Sequence, residues 1–175
     1  MTGFISRLLG KKDMALEDAK VIYSKLMRQS RNPRFYGEGK VPDNYDGRID
    51  LLTLHIATVL ANLRKHGEQG ERLSQALYDV MRDDFEIAMR EEGVSDAGIK
   101  RRIKPMMQLF FTRTKSYVEA FQGQSDIKKT LADGLLKDSN DEFRMFLGTY
   151  TAEFYESLST KSLGEIALGA FSCPK

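Results

Sequence analysis

Hydrophobic residues recur along most of the chain at the three- and four-residue spacing of an amphipathic α-helix. These stripes cover residues 13–30, 47–65, 71–92, 96–122, 127–137 and 139–158, and a capping-box pattern at Ser162 and Glu165 marks one more short helix. No segment shows the alternation of a half-buried strand. The pattern therefore predicts an all-α protein of six to eight helices with non-bundle packing, in a single domain over residues 13–170.

The segment 47–65 is apolar over most of its circumference, which predicts a central helix. Arg48, His55 and Asn62 recur along it at seven-residue intervals and form a polar seam beside the core. A buried histidine can bind metal or haem, but no His, Cys or Glu at ligand spacing accompanies His55. We therefore interpret His55 as a core histidine with satisfied hydrogen bonds, and we expect no metal and no cofactor.

Three charges fall where the stripes would place apolar residues. Asp84 and Glu91 lie inside the stripe of the 71–92 helix, and Arg113 lies inside that of the 96–122 helix. Unpaired charges facing a core are costly. We therefore predict that Asp84 or Glu91 pairs with Arg48 or Arg113 in a network joining three helices. The apolar stripe within which Asp84 and Glu91 fall consists of Leu73, Leu77, Val80, Met81 and Ala88.

Two features interrupt the helical pattern. Residues 31–46, RNPRFYGEGKVPDNYD, lack periodicity and contain aromatic residues among Pro, Gly and Asn. Loops of this length are either functional or packed against their domain, and both interpretations stay open here. The second feature is Pro105, which predicts either a kink near residues 101–105 or a helix that restarts there.

Residues 1–12, MTGFISRLLGKK, form a short amphipathic and basic segment that is either weakly bound to anionic lipid or loosely docked. Asp13 is the expected cap of the helix that follows, and residues 171–175 are expected to be a tail. A net charge of +2 does not suggest DNA binding, and no apolar run reaches membrane-spanning length. With a single cysteine, Cys173, and no signal sequence, we expect a cytoplasmic location.

Enzyme motifs are weak. The DDFEI run at residues 83–87 is similar to the aspartate-rich magnesium sites of helical isoprenoid synthases, but its spacing differs and no second acidic box follows. Gly-rich phosphate loops, zinc spacings and nucleophile motifs are missing from the sequence. We therefore expect a protein that is not an enzyme.

Three stretches resemble the ubiquinol-cytochrome c chaperone family: YGEGKVPDNYDGRIDLLTLHIATVLANLR, RDDFEIAMREEGVSD and FFTRTKSY. The resemblance covers residues 34–121, and the sequence departs from it at Phe111 and Thr112. The family pattern also has Asp or Glu two positions after the arginine of its D-G-R segment. The matching positions are Tyr36, Gly37, Val41, Pro42, Asp43, Arg48, Leu52, His55, Asp83, Asp84, Arg90, Glu91, Gly93, Val94, Asp96, Phe110, Arg113 and Tyr117.

The resemblance implies a non-enzymatic assembly factor of respiratory complex III that binds newly made cytochrome b. Mitochondrial members act with a small partner protein near the ribosomal tunnel exit. A compact chain with no transit peptide suggests the alphaproteobacterial branch, where such a partner is not always expected, with peripheral association at the inner membrane. We expect the signature residues to hold the scaffold: Arg48, His55, Asp84, Arg90, Glu91, Gly93, Asp96, Arg113 and Tyr117. We expect client or partner contacts between the loop and the fourth helix, at Phe35, Tyr36, Val41, Pro42, Tyr45, Lys100, Arg101, Lys104 and Lys115.

Two alternatives come from other classes. A helical adaptor would bind an anionic membrane or ribosome surface through residues 1–12 and the Lys100–Lys115 face, without a cytochrome b client. A haem-binding module would use His55.

Overall fold

The computed structural model describes the backbone of residues 2–174 and the side chains of residues 14–174. Within this part the chain forms seven α-helices, which confirms the all-α prediction. Two single-turn 3-10 helices, Pro33–Phe35 and Arg64–His66, lie in the connections. The α-helices are α1 (Thr2–Ser30), α2 (Tyr45–Leu63), α3 (Gly67–Glu91), α4 (Asp96–Phe121), α5 (Ile127–Asp133), α6 (Asp141–Ser159) and α7 (Leu163–Ala167).

Helix α2 is the centre of the fold. It contacts α1, α3, α4 and α6, and thirteen of its nineteen residues are buried. One side of α2, with Leu52 and Ile56, belongs to a core shared with α1, α3 and α4. The other side, with Leu51 and Leu54, belongs to a core shared with α5 and α6. The wide apolar surface read from the sequence therefore exists because α2 is covered on both sides.

The connection between α1 and α2 is packed against the domain. Phe35 and Val41 are both fully buried, and Tyr36 and Val41 form an isolated β-bridge. The Asn140 backbone N–H donates to the Gly39 carbonyl at 2.8 Å, which ties the connection to the start of α6. Its aromatic and β-branched residues therefore serve as core residues of an irregular segment.

Several helix ends carry residue types that are typical of helix caps. Ser95 caps α4, Asn140 caps α6, and Ser162 with Glu165 forms the capping box of α7. Gly93 ends α3 with a positive φ of 80°, a conformation that glycine adopts without steric cost.

Other helix boundaries differ from the predictions. Helix α1 continues through Asp13, so the predicted cap there is wrong. The side chains of residues 1–13, and with them the expected lipid contact of residues 1–12, lie outside the described part. Helix α5 ends at Asp133 and not at the predicted residue 137, and its N-cap is Asp126.

Helix α4 runs without a break through Pro105, so the predicted restart at this position is wrong. Pro105 is exposed, and its ring therefore projects where no neighbouring helix packs.

The last described residues have no regular secondary structure and are packed against the domain. Phe171 is buried against Phe154, with ring centroids 6.0 Å apart. The Arg34 guanidinium donates to the Pro174 carbonyl at 2.8 Å, and Lys25 Nζ donates to the Gly169 carbonyl at 2.7 Å.

Replacing Phe35 by alanine tests whether the α1–α2 connection belongs to the core. Phe35 is fully buried and its ring lies 5.1 Å from that of Tyr150, so Phe35→Ala should lower the free energy of unfolding by about 3–5 kcal/mol. Urea denaturation followed by circular dichroism measures this change. The control, Met145→Ala, removes a side chain that is 64% exposed and should stay within about 0.5 kcal/mol of wild type. Equal effects of the two substitutions would contradict the assignment.

Candidate functional site

A groove of about 710 Å³ opens between the start of α2, the end of α3 and the first half of α4. Its lining is mainly apolar and comes from three helices: Ile49 from α2, Met89 from α3, and Pro105, Met106 and Leu109 from α4. The α4 residues share one face because they are spaced by one, three and four positions. The groove lies where the α1–α2 connection ends and α4 passes beside it.

The rim of this groove is charged, with opposite signs on its two sides. Asp46 in the first turn of α2 and Glu92 at the end of α3 supply negative charge, whereas Arg101 and Arg102 of α4 supply positive charge. Tyr45 stands between them, 51% exposed, with its hydroxyl 3.6 Å from the Met106 sulfur. An apolar floor with a charged rim suits the binding of an apolar peptide segment.

A second, polar cleft of about 380 Å³ continues from the groove along α4. Leu109 lines both spaces, and Arg113 and Tyr117 follow it at four-residue intervals on the same face. On the far side the cleft is closed by Thr130 of α5 and by Gly134. The face of α4 thus changes from apolar to polar over two helical turns.

An ion pair that the sequence did not predict joins the groove to the polar cleft, since Asp50 lines the groove and Arg113 lines the cleft. Arg113 Nη2 lies 3.4 Å from the Asp50 carboxylate of α2, and the two side chains are 28% and 18% exposed. Burial raises the pKa of Asp50, and the Arg113 guanidinium offsets part of that rise. Asp50 occupies the Asp-or-Glu position of the family pattern, which was the available signal for this partner.

The predicted network among Asp84, Glu91, Arg48 and Arg113 is wrong. Asp84 accepts a hydrogen bond from the Tyr23 hydroxyl at 2.7 Å, which joins α3 to α1. Glu91 is exposed, because the buried line of α3 passes through Leu73, Leu77, Met81, Phe85 and Met89.

Arg48 and Arg90, which were also expected to hold the scaffold, form exposed ion pairs. Arg48 pairs with Asp43 at 2.7 Å, and Arg90 pairs with Glu86 at 3.4 Å and with Asp96 at 3.6 Å. Exposed pairs of this kind contribute little to stability.

His55 is buried and both of its ring nitrogens have partners. Nδ1 lies 2.8 Å from the Leu51 carbonyl, and Nε2 lies 2.7 Å from the Tyr150 hydroxyl. Gln29 donates to the same hydroxyl at 3.2 Å, which links α1, α2 and α6. This geometry agrees with the interpretation of His55 as a core histidine, and the described residues contain no cluster of three or more possible metal ligands.

The residues expected to contact a client fall into three groups. Phe35 and Val41 are fully buried and belong to the core, because the connection folds them inward. Tyr36 is half-buried and donates from its hydroxyl to the Ser30 carbonyl at 2.6 Å, whereas Pro42 is exposed outside the groove. Tyr45 lines the groove.

The basic residues predicted on α4 are all exposed. Arg101 lies on the rim of the groove, and Lys100 and Lys104 lie on the same half of the helix. Lys115 lies 3.7 Å from Glu119, further along α4. No helix in the described part of the chain is long and apolar enough to cross a membrane.

The model of a family described as ubiquinol-cytochrome C chaperone matches residues 38–173. This match continues through α5, α6 and α7, beyond the 34–121 range given by the motifs. The crystal structure of the Cbp3 homolog from Brucella abortus is similar, with 25% sequence identity, a TM-score of 0.76 and coverage of 100% of this chain and 97% of that chain. Comparison with curated protein sequences gave no match.

The burial of His55 predicts a specific pH dependence of stability. Burial lowers the pKa of His55 from 6.5 to about 4, so the imidazole stays neutral in the folded protein while the unfolded chain takes up a proton below pH 6.5. The neutral imidazole therefore contributes about 3 kcal/mol to the free energy of unfolding. This contribution is complete above pH 6.5 and is lost as the pH falls to about 4. Relative to His55→Gln, the wild type should lose this amount between pH 7.5 and pH 4 in chemical denaturation.

His66→Gln is the matched control for this measurement. His66 lies at the end of the 3-10 helix before α3 and is only partly buried, so this variant removes a histidine and leaves the buried imidazole in place. Parallel profiles for wild type and His55→Gln would contradict a neutral buried imidazole.

Proposed function

Because the chain belongs to the ubiquinol-cytochrome C chaperone family, we propose that it is a non-enzymatic assembly factor that binds newly made cytochrome b during assembly of ubiquinol-cytochrome c reductase. The client site in this proposal is the groove between the start of α2 and α4. The observation that carries it is an apolar groove, left open on the surface of a folded domain, that a polypeptide segment can fill.

Two large apolar side chains of this groove are exposed to solvent. Tyr45 is 51% exposed at its rim, and Leu109 is 47% exposed on its floor. Exposed apolar surface of this kind is typical of a protein-binding site. A membrane-protein segment, whose side chains are apolar, is a partner of matching chemistry.

The charged rim supports a defined orientation of the client. Asp46 and Glu92 on one side and Arg101 and Arg102 on the other are placed to meet charges that flank an apolar segment. Charges at the edge of an interface mainly set association rate and register rather than affinity. In the proposal the apolar floor holds the segment and the rim aligns it.

The basic half of α4 supports peripheral contact with the inner membrane, where a newly made membrane protein would be met. Lys100, Arg101, Arg102 and Lys104 lie within five consecutive positions and are exposed. A cluster of this kind attracts anionic lipid headgroups. Contacts with the ribosomal exit region and with a small partner protein stay predictions.

A charge placed on the groove floor should impair the function. Leu109→Glu introduces a carboxylate where an apolar segment would bury it, so client affinity should fall by about tenfold or more. In a strain that lacks the chromosomal gene, this variant should fail to restore cytochrome b abundance and complex III activity. The measurements are the reduced-minus-oxidised spectrum of b-type haem and ubiquinol-dependent reduction of cytochrome c.

Ile87→Glu is the matched control, since Ile87 is 51% exposed on α3 and does not line the groove. It should restore both readouts to wild-type levels. The proposal fails if deletion of the gene leaves cytochrome b and complex III unchanged, and the groove assignment fails if Leu109→Glu complements as well as Ile87→Glu.

Membrane contact is tested separately by flotation with vesicles. At about 1 kcal/mol per basic residue near an anionic surface, Lys100→Gln, Arg101→Gln and Lys104→Gln together should lower partitioning onto anionic vesicles by about 100-fold. Neutral vesicles should bind neither protein. The control combines Lys128→Gln, Lys129→Gln and Lys137→Gln, which are exposed on and after α5. Equal losses in the two triple variants would argue against a specific membrane face.

A further inference from the structure

The polar cleft beyond the groove has hydrogen-bond donors that the folded chain does not use. We propose that this cleft binds a neutral hydrogen-bond acceptor of the segment seated in the groove, a main-chain carbonyl or a side-chain amide oxygen, through Tyr117 and Arg113. This inference rests on the proposed function, because the acceptor belongs to the bound segment. It gives the client site a polar end as well as an apolar floor.

Tyr117 is the first donor. The residue is 1% exposed and lines the cleft, and its hydroxyl forms no hydrogen bond with any described residue. A buried hydroxyl without a partner costs free energy, so its presence in a core position requires an explanation. Burial also raises the pKa of Tyr117, which keeps the phenol protonated at neutral pH. The group is therefore a donor rather than an anion.

Arg113, one helical turn before Tyr117, supplies the second donor. Its Nη2 is occupied by Asp50 at 3.4 Å, but its Nε is buried and pairs with no described residue. The guanidinium has room because position 134 is glycine; a Cβ there would meet Arg113 Nη1. The cleft thus keeps an arginine beside a tyrosine on one face of α4.

The charge balance of the cleft favours a neutral acceptor. Asp50 neutralises Arg113 from outside the cleft, and Lys115 pairs with Glu119 at 3.7 Å, which leaves the carboxylate of Asp133 on the cleft lining. A phosphate or carboxylate would meet this negative charge, since Arg113 is the one basic residue among the described residues that line the cleft. A carbonyl or amide oxygen accepts hydrogen bonds without that repulsion.

An apolar segment presents this chemistry at its end. The last turn of a helix leaves up to four carbonyl groups without a partner inside the helix, and away from water they need donors. The groove floor and the donor pair share one face of α4, with Leu109 in both spaces. A segment whose apolar side chains rest on Met106 and Leu109 would therefore bring its end to Tyr117.

The test is peptide binding to the full-length protein. Labelled synthetic peptides that span each transmembrane segment of the organism's own cytochrome b, held in detergent micelles, are titrated and followed by fluorescence anisotropy. For the tightest peptide, Tyr117→Phe should weaken binding by about fivefold, the effect of one neutral hydrogen bond. The melting temperature of free Tyr117→Phe should equal or exceed that of wild type, because the substitution removes an unpaired buried hydroxyl.

Tyr155→Phe is the matched control, because Tyr155 stacks on Phe121 at 4.5 Å and does not line the cleft. It should leave binding unchanged. The inference is overturned if Tyr117→Phe binds as tightly as wild type, or if its melting temperature falls, which would mean that the hydroxyl has a partner such as water in the free protein.

The same titration separates this inference from the proposed function. If Leu109→Glu abolishes binding while Tyr117→Phe does not alter it, the groove is the client site and the donor pair plays no part. If no peptide binds the wild type, the proposed function and this inference both fail.

Discussion

The fold depends on burying most of α2, a helix whose buried residues are not all apolar. Four polar side chains of α2, Thr53, His55, Thr58 and Asn62, are at most 2% exposed, and burial without partners would destabilise the domain. Each forms a hydrogen bond to the main-chain carbonyl four residues earlier, at 2.8–3.1 Å. Because α2 supplies these partners from its own main chain and Tyr150 of α6 pairs with the second nitrogen of His55, helices can pack on both sides of α2.

Half-buried polar pairs then fix how the outer helices sit on this centre. Tyr23 and Asp84 join α1 to α3, and Asp50 and Arg113 join α2 to α4. The second pair has a further effect, since it sets the position of α4 beside the start of α2. The width of the groove therefore follows from a pair that lies at its polar end.

The sequence was sufficient for the helices and for most of their ends, because both rest on local chemistry: the period of apolar residues and the capping residues Ser95, Gly93 and Asn140. It was insufficient for the partners of the charges. The buried residues of α3 are spaced by four positions up to Phe85 and Met89. Glu91 lies off this line and is therefore exposed to solvent. The pairing of Asp50 with Arg113 depends on how two helices cross, which periodicity does not encode.

The α1–α2 connection shows the same limit, since its aromatic residues suggested a binding surface and Phe35 is instead in the core. An irregular segment has no period from which its inward side can be read. The groove was found only partly, through Tyr45 and Arg101, because its floor residues belong to three helices.

The packing of the last residues against the first described helix affects how the chain can fold during synthesis. Helix α1 contacts α7, Lys25 binds the Gly169 carbonyl, and Arg34 binds the Pro174 carbonyl. Part of the apolar face of α1 thus stays uncovered until residues 163–174 have left the ribosome. A domain closed by this segment completes its folding only after the segment has been translated, although α1 is made first.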